Sequence, residues 1–194
     1  MQERALRTRS AVLSAAAEVF DATGYRGATI EQIARRADVA KGALYFHYRS
    51  KADLAAAVVT EHHSIWANLA ERAIAGAEDA MTAIDAMIAG VADLYVTNPI
   101  TRAGTRLENE YLEVDTELSV PFVGWIARLT TLLRAGKRDG SVGPDVSCAA
   151  SARVLVASFY GIQAVSARLT DRRDVVRRVD EWWSMLRPTL AAET

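Results

Sequence analysis

Residues 29–51 read TIEQIARRADVAKGALYFHYRSK, two short apolar-periodic runs separated by Asp38 and Val39, and this arrangement restricts the local fold more than any other stretch. Thr29 and Gln32 have the spacing of a capping box, which predicts a helix carrying Ile30, Ile33, Ala34 and Ala37 on one side. Asp38 tolerates the left-handed backbone that a sharp turn needs, and Val39 is the apolar plug for the angle between two helices. A second helix is predicted over 40–48, and Ser50 with Asp53 caps a third. Two short helices joined by a tight turn have the layout of a helix-turn-helix DNA reader.

The second helix carries the candidate DNA-contacting residues. Lys41 is a flexible cation near its start, and Gly42 has no Cβ to hold the backbone away from DNA. A helical glycine costs about 1 kcal/mol, so its presence asks for a reason. Tyr45 and His47 offer donors to phosphate oxygens, and Lys51 opens the next helix, where exposed amides also favour an anion. The same residues also suit an ordinary polar surface on a helical hairpin.

Charge is segregated with this stretch. The chain as a whole carries a net charge of -1, but residues 1–51 hold nine Lys or Arg against five Asp or Glu, and the remainder fourteen against nineteen. A basic head on an acidic body is the electrostatic footprint of phosphate contact. Arg4, Arg7 and Arg9 fit either a solvated helix start or an arm on the DNA backbone. They precede or begin a helix running to about residue 22 with the stripe Leu6, Leu13, Ala16, Ala17 and Phe20, stopped by Gly24, with Tyr25 folding back on the core.

Only 4 prolines and 11 glycines interrupt 194 residues, and no alternating strand pattern persists, so an all-α fold is expected. Further helices are predicted over 50–76, 78–97, 145–168 and 171–189, with one opening at Ser119 or Pro121. The first of these carries Leu54, Val58, Ile65, Trp66, Leu69 and Ile74. Residues 100–114 read as a short interrupted segment after the Asn98-Pro99 stop, and 136–144 as a surface loop. The last two helices are apolar on two sides, and the second side predicts pairing with an identical chain in a four-helix interface. Such a homodimer would also set two readers about 34 Å apart. The amino-terminal residues lack the pattern of a secretory signal and no apolar run of 18 residues occurs, so a cytoplasmic protein without membrane contact is expected. The single Cys148 agrees with a reducing compartment.

Catalysis finds no support in the sequence. His62 and His63 are adjacent, so they point about 100° apart on a helix and read as partly exposed surface histidines, not a metal pair. Glu108, Glu110 and Glu113 lack the Glu-x-x-His partners of a di-metal site and read as a solvated face. No enzyme activity, metal or cofactor is expected.

The run KGALYFHYRSKADL, with AAAEVFDATGYRGATIEQIARRADVAKGALYFHY leading into it, resembles the reader of TetR-type bacterial transcriptional regulators. NPITRAGTRLENE, PFVGWIARL and RLTDRRDVVRRVDEWWSMLRPTL are similar to the γ-butyrolactone autoregulator receptors within that family. The resemblance implies an amino-terminal helix-turn-helix domain at 1–51 and a helical ligand-binding and dimerisation domain at 52–194. It implies a homodimeric repressor on double-stranded operator DNA, released by a small-molecule inducer of butyrolactone, butenolide or furan type. Thr29, by resemblance, faces a phosphate as well as capping its helix. Asp38 stands where relatives commonly have Gly. Ala40 stands where they often have Ser or Thr, which removes a cap worth about 1 kcal/mol and one contact to DNA. Trp125 is the pocket wall that the resemblance implies, and Tyr95, Leu107, Phe159 and Gln163 combine apolar bodies with useful placement or polar handles. Two alternatives stay open: a TetR-type repressor answering hydrophobic drugs or fatty acyl compounds, and an all-helical ligand carrier that does not bind DNA.

Overall fold

The computed structural model of the chain describes residues 2–110, 114 and 122–192, apart from the side chains of Gln2 and Arg4. The expectations placed on the Arg4 side chain, Glu113, Ser119 and Pro121 lie outside the described residues. Those residues form α1 (Gln2–Gly27), α2 (Ile30–Arg36), α3 (Lys41–His47), α4 (Lys51–Ala75), α5 (Ala80–Thr97), α6 (Pro99–Asn109), α7 (Val123–Asp139), α8 (Cys148–Thr170) and α9 (Val175–Leu190). The only extended pairing described is an isolated bridge between Val142 and Ala191, so the fold is all-α.

Two compact units divide the chain, one from 1–65 with 98–121 and the other from 66–97 with 122–194. The first therefore extends beyond residue 51, taking in the start of α4 and all of α6. Its core joins Val12, Ala16 and Phe20 of α1 to Ile33, Leu44, Leu54, Val58 and Leu107. In the second unit, Ile84 and Met87 of α5 pack with Leu132 and Leu133 of α7 and Leu155 of α8. Asp85 fixes α9 there, accepting from Trp183 Nε1 at 2.8 Å and pairing with the Arg187 guanidinium.

Several expectations need correction. α1 begins at Gln2, so the arginines stand at the start of the helix as one of the two readings had it, but Leu6, expected on the core stripe, is exposed while Val12 occupies the core. Arg7 pairs with Glu3 along the helix and Arg9 lies over the Tyr48 ring. Ile74, expected on the core side of α4, also faces outward. Residues 99–109 form a continuous helix, not an interrupted segment. Asn98 ends α5 and then caps α6, its side chain accepting from the amides of Ile100 and Thr101, and Pro99 takes the first turn, where no amide bond is lost. Gly136 lies inside α7 because Val142 folds onto it: a Cβ there would stand 2.3 Å from Val142 Cγ2. The stop is Gly140, at φ 85. Asp171 takes left-handed backbone after α8, so α9 starts at Val175 and not at 171.

The histidine and glutamate expectations are corrected together. His62 and Glu108 are buried, not surface groups: Gly104 of α6 lies against the His62 side chain, and Glu108 reaches both His62 and His63. Glu110 also points inward, accepting from the Tyr25 amide at 2.7 Å and from Arg106. By length and composition α5 and α8 are apolar enough to cross a membrane, although Asp85 and Asp93 interrupt the first and Arg153 and Arg168 the second, so neither is an unbroken apolar run of 18 residues. Their apolar faces serve the core of the second unit, and α5 carries the ion-paired Asp85.

Candidate nucleic-acid interface and apolar cavity

The reader is assembled by local chemistry. Thr29 caps α2 by accepting from the Gln32 amide at 3.2 Å, and Gln32 Oε1 accepts from the Thr29 amide at 2.9 Å. The chain leaves α2 through Asp38 at φ 53, and Val39 closes the turn with its amide donating to Ala34 O. Val39 packs on the core that holds Leu44 and Tyr48, so α3 is anchored from one side. Ala40 caps α3 with backbone only, as the missing hydroxyl predicts.

With Leu44 and Tyr48 inward, Lys41, Gly42 and Tyr45 face outward and His47 is half-buried. Phe46 is 81% exposed, a residue the sequence reading missed. It lies two positions from each buried anchor, about 200° round the helix, which is the signal that would have found it. A Cβ on Gly42 would meet no protein atom within 4 Å, so nothing inside the chain requires glycine there. Lys41 pairs with Glu31 of α2 and lies over the Tyr45 ring. The hydrogen bond lowers Glu31 and raises Lys41, but both groups are in solvent, where such a pair is weak and open to exchange for a phosphate. Lys51 is more committed, donating to Tyr25 O at 2.8 Å and Ala28 O at 3.0 Å with its ammonium over the Tyr25 ring. It thereby fixes the link between α1 and α2.

Also in the first unit, Glu108 accepts from or pairs with both histidines of α4: His63 Nε2 stands 2.7 Å from Oε1 and His62 Nε2 3.6 Å from Oε2. Burial opposes ionisation of Glu108, but hydrogen bonds and charge from His62 and His63 outweigh it and hold the carboxyl at about 2. Burial lowers His62, more than Glu108 raises it.

The second unit contains an apolar cavity of about 50 Å³ that opens toward solvent. Trp125, Trp66, Phe159, Tyr160, Met87 and Trp182 supply its broadest walls. Trp66 and Trp125 meet edge to face with centroids 4.4 Å apart, and Phe159 stands edge-on to Trp66 at 6.2 Å. Of the residues expected here, Trp125 and Phe159 line the cavity. Tyr95 and Gln163 stand behind it, bonded to one another through the Tyr95 hydroxyl at 2.7 Å, with the Tyr95 ring against Phe159. Leu107 does not belong to it: it is fully buried in the first unit's core, where α6 packs on α1. Trp66 and Trp182 were missed, since a tryptophan on an apolar helix face reads as core.

A family profile described as bacterial regulatory proteins of the tetR family matches residues 12–58, and one described as tetracyclin repressor-like, C-terminal domain, matches 78–191. The A-factor receptor protein of Streptomyces griseus is 35% identical over 98% of this chain, and the chain spans 66% of that protein's length. The crystal structure of a gamma-butyrolactone receptor, an ArpA-like protein, is 32% identical with a TM-score of 0.82, covering 97% of this chain and 90% of that one. CprB from Streptomyces coelicolor, a TetR family protein solved in complex with its biological operator sequence, is 32% identical with a TM-score of 0.87, covering 98% of this chain and 92% of its own. The reader geometry and the likeness along nearly the whole length lead to one assignment: this chain belongs to the TetR family of DNA-binding transcriptional regulators and is similar to the gamma-butyrolactone receptors within it.

Proposed function

We propose that the chain is a cytoplasmic, homodimeric repressor that is released from a roughly palindromic operator by a small butyrolactone- or butenolide-like molecule. Lys41, Gly42 and Tyr45 form the contact surface on α3, with Thr29, His47 and the backbone at Ala40 at its margin and the remaining N–H of Lys51 available to a phosphate. The observation that carries the ligand half is the aromatic cavity at Trp125, whose flat walls suit a small ring with an apolar tail. α4 is the natural transmitter, because one continuous helix supplies Leu54 and Val58 to the reader's core and Trp66 to the cavity wall. Val154, Val165 and Leu169 of α8 and Val176 and Met185 of α9 are exposed in the single chain and supply the second apolar side that a twofold partner would cover.

A ligand moves this equilibrium only by its preference for one state, and a coupling of about 1–3 kcal/mol corresponds to roughly 5- to 150-fold in operator affinity. The test is release of a labelled operator duplex on titration with synthetic γ-butyrolactones. Trp125→Ala is expected to keep operator binding while losing at least about tenfold in ligand response. Equal release of parent and variant would reject the cavity assignment, and a response confined to long-chain acyl compounds would replace the ligand class.

A further inference from the structure

Three nitrogen and oxygen donors converge in the first unit where the sequence suggested unrelated surface groups. His62 and His63 leave α4 in different directions, yet their ring centroids lie 5.6 Å apart, and Glu108 of α6 reaches between them. One ligand atom from each residue lies within 4.8 Å of the other two. Donors bound to a tetrahedral ion at about 2.0–2.2 Å stand roughly 3.3–3.6 Å apart. The present 2.7 Å and 3.6 Å separations bracket that range closely enough for side-chain rotation to complete the site.

We infer that His62, His63 and Glu108 form a binding site for a divalent transition cation of the zinc class, distinct from both the DNA face and the apolar cavity. Two imidazoles and one carboxylate are a borderline donor set, suited to Zn²⁺, Co²⁺ or Ni²⁺ and poor for Mg²⁺ or Ca²⁺, which take oxygen ligands. Gly104 makes the convergence possible. A Cβ there would stand 2.4 Å from His62 Cβ and Cγ, so a larger residue would push the ring away from Glu108. The side chains of His62 and Glu108 are 0% and 4% exposed, while that of His63 is 40% exposed and gives the ion a route from solvent and room for a water as fourth ligand. As an ion pair alone, a buried carboxylate between imidazoles adds little to stability. With a cation it becomes a clasp between α4 and α6.

The direct test uses the full-length, chelator-treated protein and the metal alone. Co²⁺ titration is expected to give the visible absorption of a low-symmetry, four-coordinate ion saturating at one per chain. Zn²⁺ is expected to raise the thermal unfolding midpoint progressively with its concentration, whereas Mg²⁺ leaves it unchanged. His63→Ala, at the half-exposed ligand, should leave the fold intact by circular dichroism and weaken binding by more than roughly 10- to 100-fold, the loss that an outer-shell partner alone would cause. Glu108→Gln gives an isosteric check on the buried ligand. A dissociation constant weaker than about 1 mM, or binding that His63→Ala leaves unchanged, would overturn the site. None of these readouts depends on DNA or on an inducer, so they stand apart from the repressor assignment.

Discussion

Asp174 shows how a single side chain closes a helix junction in this protein. Its carboxylate accepts from Ser166 and Thr170, each at 2.6 Å, and from Arg178 at 2.6 Å, so it ties the end of α8 to the start of α9. Those hydroxyl bonds first, and the Arg178 guanidinium after them, hold its carboxyl far below the usual range. Its contribution is therefore complete above the unfolded value of about 3.9 and is lost as pH falls below that toward the folded value. Asp174→Asn is expected to lower the thermal midpoint at neutral pH, with the difference from the parent shrinking below about pH 3. A difference independent of pH, measured by circular dichroism, would assign the effect to shape alone. Much of this scale was legible in advance: Thr29, Asp38 and Tyr25 do what their chemistry predicted, because capping and left-handed turns are decided within a few residues. Leu107 and Glu108 were misjudged because burial of a particular side chain depends on elements distant in the chain.

Among the helices, α6 explains why a pattern reading failed where it did. The residues it buries are Thr101, Ala103, Gly104, Thr105, Leu107 and Glu108; Ile100, Ala103, Gly104 and Leu107 keep the helical spacing, but the stripe is short, built largely of small residues and flanked by buried polar ones. Its start was hidden as well, since Asn98-Pro99 signals a stop to the preceding helix and a cap to the following one with the same two residues. α3 is the opposite case, fully readable from its own sequence and weak at its start for the reason its sequence shows. Ala40 provides no side-chain cap. Ala40→Ser is expected to stabilise the protein by up to about 1 kcal/mol in urea unfolding, through the hydroxyl and an amide of the first turn. No gain in the urea midpoint would show that the backbone at Ala40 cannot aim a hydroxyl at that amide.

At the level of the molecule, the two proposed functions sit in two differently built regions. The reader is a local motif whose outward face carries Lys41, Gly42, Tyr45 and Phe46, and it is cationic within an otherwise acidic chain. The cavity is tertiary: Trp66, Trp125, Phe159 and Trp182 come from four helices, which is why Trp125 was reachable by resemblance while Trp66 and Trp182 were not reachable by pattern. The proposed regulation joins these regions through α4. Its foundation is that α3 reads DNA, and fluorescence anisotropy of a labelled duplex from the native genome tests that most directly, with the parent and Tyr45→Ala titrated side by side over a range of salt. Affinity is expected to fall steeply as salt rises, with about tenfold weaker binding by the variant and an unchanged unfolding midpoint. Equal affinity of the two proteins, or binding indifferent to salt, would contradict the reading of DNA by α3.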